Sequence, residues 1–190
     1  GRVAEQIVDC NNTKCIPTGL PKLVSLYNTR KSIAKNHKNK TLLIGTTYVP
    51  VLREEFIRDI IPPILKQTDW RIIIKIHPKE ESSFYTELLS ELDLNKDSNR
   101  IQVVEENLNF WIGRSNLLIT TFSNVGIESV VLGTPAVSYN PWSPNIRDPP
   151  YAKYGSVPCF QQPSEIISML DNYNINEELA RQEQMLDDLY

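Results

Sequence analysis

The stretch Arg71-Ile72-Ile73-Ile74-Lys75-Ile76-His77-Pro78-Lys79-Glu80 runs from apolar residues straight into a polar corner. Ile72, Ile73, Ile74 and Ile76 are β-branched and nearly continuous, the pattern of a parallel-sheet strand buried on both faces. Pro78 has no N–H for a ladder, so the strand must end at His77. In open α/β sheets, ligands sit just beyond the carboxyl ends of the strands. His77 and Lys79 therefore lie where such a fold binds.

The flanking sequence alternates in the same style. Thr41–Gly45 reads as a strand ending in Gly45-Thr46-Thr47. Arg53–Gln67 has helical spacing, with Pro62-Pro63 expected to kink or restart it. Ser82–Leu92 is a helix with Ser82 or Ser83 as cap, and Arg100–Val104 a strand. Asn107–Arg114 is a short helix and Asn116–Thr120 a strand. Ser123–Leu132 is a helix closed by Gly133, and Pro135–Tyr139 a strand. The expected fold class is α/β: a Rossmann-like open parallel sheet with helices on both faces.

Residues 140–162, rich in proline and aromatics, read as a long ordered loop. Pro163–Tyr173 and Glu177–Leu189 read as helices. At the other end, Val3–Val8 suggests a short helix, Cys10–Pro21 a loop and Lys22–Lys35 a helix. The expected division is residues 1–21 as the end of a preceding domain with its linker, 22–173 as the Rossmann-like domain, and 174–190 as a C-terminal helix.

The chain has 190 residues, 41% of them hydrophobic, which suits one ordinary core. A formal charge of −3 gives no bulk attraction for nucleic acid, and none is expected as a partner. No apolar run approaches the roughly 20 residues that span a bilayer. Cys10, Cys15 and Cys159 lack zinc spacing, and their odd number favours a reducing compartment. Gly1-Arg2-Val3 opens directly in helix-like sequence without a signal peptide, so a fragment of a longer protein is expected.

Three strand ends carry the chemistry. At Gly45-Thr46-Thr47, a glycine followed by hydroxyls lets backbone N–H groups approach an oxyanion; the bland alternative is a turn with capping threonines. At His77-Pro78-Lys79, an imidazole meets a phosphate or sugar oxygen, or moves a proton, beside a fixed positive charge. His37, in a basic polar stretch, reads as merely exposed. At Thr120-Thr121-Phe122-Ser123-Asn124, a hydroxyl-rich turn opens a helix, where Ser123 and Asn124 either cap it or bind an anion. Gly126 allows close backbone approach, and Glu128 lies about a turn further on, placed for two ribose hydroxyls.

Thr121, Ser123, Asn124 and Glu128 thus join Gly45, Thr46, Thr47, His77 and Lys79 in the outline of a nucleotide-diphosphate pocket. There is no Gly-x-Gly-x-x-Gly, no Walker lysine motif and no metal-spaced Asp/His cluster, so no cofactor and no metal are expected.

With those residues in view, the chain resembles the C-terminal, donor-binding domain of GT-B glycosyltransferases. The nearest likeness is to bacterial capsule and surface-polysaccharide transferases, CDP-glycerol glycerophosphotransferases and the UDP-N-acetylglucosamine 2-epimerase type. Ile16-Pro17-Thr18-Gly19-Leu20-Pro21-Lys22 resembles their interdomain tGxP segment. Ile76-His77-Pro78-Lys79 resembles their K-x-HP strand end, and Ser123 to Pro135 their S-x-x-x-x-E-x-x-x-x-G-x-P helix. Thr46-Thr47-Tyr48 stands where the epimerases carry a histidine-arginine pair, which argues against an epimerase.

The resemblance implies a UDP-, CMP- or CDP-linked donor, with His77 on the phosphate or transferred group, Ser123 and Asn124 on phosphate, and Glu128 on ribose. It further implies an acceptor domain absent from this chain, and a cytoplasmic protein at the inner face of the membrane through peripheral association. The rival reading is a stand-alone flavodoxin-like α/β binding or regulatory module, since a fold does not dictate a function.

Overall fold

The computed structural model describes residues 21–30, 40–97, 99–153 and 157–187. Val3–Val8, the Ile16–Pro21 linker apart from Pro21, Cys10, Cys15 and His37 lie outside the described residues. The elements are α1 (Pro21–Thr29), β1 (Thr41–Gly45), α2 (Pro50–Gln67), β2 (Arg71–Lys75), α3 (Ser82–Glu91), β3 (Ile101–Val104) and α4 (Leu108–Arg114). They continue with β4 (Leu117–Thr120), α5 (Val125–Val131), β5 (Ala136–Tyr139), α6 (Pro150–Lys153), β6 (Cys159–Phe160), α7 (Pro163–Asp171) and α8 (Ile175–Asp187).

All strand pairs are parallel, in the order β3-β2-β1-β4-β5-β6. This is the doubly wound dinucleotide-fold order, not the flavodoxin-like order 2-1-3-4-5. The chain reverses direction of winding between β1 and β4, which makes their carboxyl ends the topological switch point.

Strand side chains alternate between two apolar layers, as a period of two requires. Leu42, Ile44, Ile72, Ile74, Leu117, Ile119, Val137 and Tyr139 pack against α2, α3 and α7. Leu43, Ile73, Leu118 and Ala136 pack on the other face, against α1, α4 and α5. Burial on both faces is why the strands read as continuous hydrophobic runs.

Several expectations are corrected. Pro62 and Pro63 do not restart α2, which runs unbroken over 18 residues. Phe56, Ile57, Ile60, Ile61, Ile64 and Leu65 bury its inner face and outweigh two missing N–H donors. Arg100 ties down the end of this helix, donating to the carbonyls of Leu65, Thr68 and Trp70. Neither Ser82 nor Ser83 caps α3; Glu81 occupies that position. The 140–162 stretch is more than a loop, since it contains α6 and the edge strand β6. Gly133 ends α5 with φ at 83°, a left-handed conformation that suits glycine.

Because β6 pairs only Ser138 and Tyr139, it leaves the start of β5 uncovered. Gln182 of α8 fills that gap. Its wholly buried amide accepts from Ala136 N at 2.9 Å and donates to Ala136 O at 2.8 Å, as a neighbouring strand would. The C-terminal helix is therefore joined to the sheet. Arg30 and Glu183 also pair, linking the end of the first described segment to α8.

Candidate functional site

The carboxyl ends of β1, β2 and β4 lie side by side. Gly45 is in register with Lys75 on one side and Thr120 on the other. The three polar strand ends singled out from sequence therefore share one edge, around the switch point.

Gly45 is buried because neighbours crowd it. A Cβ there would sit 3.3 Å from Val125 and 3.5 Å from the Thr120 hydroxyl. Its carbonyl accepts from that hydroxyl at 3.0 Å. Thr46 faces inward: its hydroxyl accepts from His77 N at 3.0 Å and donates to the Glu80 carboxylate. Thr46 is thus committed to joining two strand ends. Thr47 is half-buried, with no hydrogen-bond partner among the described residues, and is the member of this turn whose hydroxyl remains available.

The His77 corner rests on Glu80, which sequence reading passed over. Its fully buried carboxylate accepts from the Thr46 hydroxyl, His77 N, Tyr85 OH at 2.9 Å and Arg53 at 3.3 Å. Arg53 in turn lies 3.7 Å above the Phe84 ring. A buried carboxylate is stable only when paired and hydrogen-bonded, and this one is both. Burial pushes the Tyr85 hydroxyl well above its ordinary range, so it serves as a donor.

His77 is half-buried, with its ring against Tyr48 at 5.3 Å between centroids. Its Nδ1 accepts from Lys79 N at 3.1 Å, so the neutral ring carries its proton on Nε2. A donor N–H is the useful form toward a phosphate or sugar oxygen. Lys79 is exposed and stands 5.3 Å from the Tyr48 ring centre. Lys75, two residues before His77, is only 8% exposed, and burial pulls its ammonium below the ordinary lysine range.

The β4 end divides in two. Thr121 is wholly buried, and its hydroxyl has no partner among the described residues. Ser123 forms the turn: its hydroxyl accepts from Val125 N at 3.3 Å, and its carbonyl from Tyr151 OH at 2.6 Å. Ser123 is therefore the side chain that caps α5, while exposed Asn124 contributes no capping bond. At Gly126 the close approach is made by Tyr151, whose hydroxyl lies 3.0 Å and ring carbons 3.1–3.2 Å from where a Cβ would be. Glu128 is buried in the first turn of α5, and its Oε1 accepts from Lys22 Nζ at 2.6 Å. Oε2 has no partner among the described residues.

Thr47, His77, Lys79 and Asn124 thus form the accessible part of the predicted set. Gly45, Thr46 and Ser123 shape it from below, and Thr121 is enclosed. A shallow depression of about 340 Å³ at the opposite edge, lined by Lys40, Lys66 and Asp69 among others, is open to solvent. Its Lys40 is already paired with Asp69 at 2.9 Å. Among the described residues, no helix is long and apolar enough to cross a membrane.

No protein-family model matches the chain, and no curated protein matches it. Solved structures do. A variant of the wall teichoic acid polymerase TagF superposes with a TM-score of 0.57 at 16% identity, over 90% of this chain and 43% of that one. The C-terminal CMP-Kdo binding domain of WaaA from Acinetobacter baumannii gives 0.53 at 13% identity, over 86% of this chain and 98% of that one. The C-terminal domain of the group 1 glycosyl transferase LpcC from Francisella tularensis gives 0.52 at 14%, over 86% and 90%. The chain spans less than half the length of the polymerase it matches and nearly all of the two isolated domains. At these identities the likeness is one of fold, and that fold resembles the donor-binding domains of GT-B glycosyltransferases.

Proposed function

We propose that this chain is the donor-binding half of a glycosyltransferase that uses a nucleotide-activated sugar or polyol phosphate in surface-polysaccharide synthesis. The observation that carries the reading is that the ends of β1, β2 and β4, which lead into Thr47, His77 and Asn124, lie side by side at the switch point of a β3-β2-β1-β4-β5-β6 sheet. In this reading His77 Nε2–H donates to the phosphate or the departing group. Asn124 and the turn N–H groups before α5 meet phosphate oxygens, and Glu128 takes the ribose through Oε2. Transfer is displacement at the activated carbon or phosphorus, and these donors stabilise charge on the leaving nucleotide. A second domain supplies the acceptor surface, and the whole protein works in the cytoplasm at the inner membrane face. The doubly wound strand order supports this over the flavodoxin-like module.

A thermal-shift panel of UDP, CDP, CMP, GDP and FMN tests it. A pyrimidine nucleotide should stabilise the chain, with an affinity of about 0.1–1 mM because half the pocket walls belong elsewhere. Incubation with nucleotide sugars or CDP-glycerol should give no multiple-turnover transfer. A response to FMN alone, or to none of the panel, would refute the reading.

A further inference from the structure

We propose that Lys75 is the charge partner of the donor's phosphates. Three observations meet at this side chain. It closes β2 in register with Gly45 and Val104, at the ligand edge, and alternation with Ile73 puts it on the α1, α4 and α5 face. It is more than nine-tenths buried. Its ammonium donates to the adjacent Ile76 carbonyl, and no carboxylate of the described residues lies within 4.0 Å of it.

A buried charge is costly to retain unless an opposite charge meets it. The carboxylates that act on Lys75 do so from a distance. Glu80, behind the same corner, is taken by Arg53, Tyr85, Thr46 and His77. Glu105 and Glu106, after β3, are exposed, and Glu106 accepts from the Trp111 indole. Lys79, the cation that sequence singles out, points into solvent beside Tyr48. Lys75 is the better-placed charge: already desolvated, fixed by the strand, and two residues from His77. An anion arriving at the switch point replaces the missing counter-ion.

The inference deepens the nucleotide reading and rests on it for the ligand's identity. Calorimetric titration of the 190-residue chain with CDP, UDP and inorganic pyrophosphate tests it, using wild type, Lys75→Met and, as control, Lys66→Met at the opposite edge. Lys75→Met should weaken the responding nucleotide and pyrophosphate by roughly 10–100-fold, the range for a charge-assisted hydrogen bond. Lys66→Met should leave both within about twofold, as for any exposed charge. Without ligand, Lys75→Met should melt at or above the wild-type temperature, because an unpaired buried charge has been removed. Lys75→Gln is the substitute if the methionine variant does not fold. Unchanged affinity in Lys75→Met overturns the inference. If wild type binds pyrophosphate through Lys75 but no nucleotide, the anion site stands and the nucleotide reading falls. If wild type binds neither, both fall.

Discussion

Lys22 Nζ lies 2.6 Å from Glu128 Oε1, tying the start of α1 to the first turn of α5. The pair is unequal: the lysine side chain is 68% exposed and the glutamate 9%. The carboxylate proposed for ribose therefore has one oxygen spoken for and one open. Lys22 orients Glu128, and water around its exposed ammonium screens the attraction.

Glu128→Ala should weaken pyrimidine nucleotide binding by about 1.5–3 kcal/mol, the range for a hydrogen bond to a charged group. A 2′-deoxy nucleotide should lose affinity against wild type and show a smaller loss against the variant. Calorimetry with both nucleotides decides it. Equal affinity of wild type and Glu128→Ala would remove the ribose assignment.

Glu80→Ala should destabilise the fold by about 3–5 kcal/mol, since it strands the largely buried Arg53 cation together with the Tyr85 hydroxyl. Urea unfolding measures this. A double variant, Glu80→Ala with Arg53→Met, should recover part of the loss, and additive losses would show that the two side chains do not act as a pair.

Gly126→Ala should destabilise wild type but not a Tyr151→Ala background. In wild type the new methyl meets the phenol end of Tyr151, hydroxyl and ring carbons, at 3.0–3.2 Å. Without the ring, alanine's helix preference over glycine, about 0.5–1 kcal/mol, remains. A double-mutant cycle by chemical denaturation separates the two effects.

Gln182→Ala should cost about 1–3 kcal/mol by leaving the buried Ala136 backbone groups without partners. Hydrogen exchange should quicken at the Ala136 amide more than at Leu118, whose N–H bonds to Pro135 O within the sheet.

Cys159 gives a pH prediction. Burial first, and then Asp148, push its thiol from the ordinary 9.0 up to about 12. The folded state therefore holds this proton where the unfolded chain has released it. The contribution is fully present below 9.0 and lost as pH rises toward about 12. Raising the pH through that window should destabilise wild type more than Cys159→Ser. At pH 8 the folded thiol should react slowly with maleimide.

The core strands were legible because residues such as Leu42–Ile44 and Ile72–Ile74 are buried on both faces and show it as unbroken apolar runs. Pro78 marked the carboxyl end of β2 by what it cannot do. β6 was hidden because two residues carry no period and sit among prolines. The unbroken course of α2 was hidden because local proline chemistry was overruled by six buried contacts elsewhere in the helix. At the site, residue types at strand ends were legible but their directions were not. Thr46 and Thr47 read alike, yet one is committed inward and the other half-open. Glu80 and Lys75 read as ordinary charges because their burial is not written locally, and neither is the pairing of Lys22 with Glu128, 106 residues away.

The brevity of β6 also bears on strand-to-strand association between copies. The rim of a sheet is a template on which a foreign strand adds itself. Here the outermost strand on that side is two residues long, and the row behind it is closed at Ala136 by a side-chain amide from a helix. An incoming chain would find no continuous ladder there to copy. Loss of the Gln182 amide would therefore expose a templating rim, with the added hazard of intermolecular strand pairing.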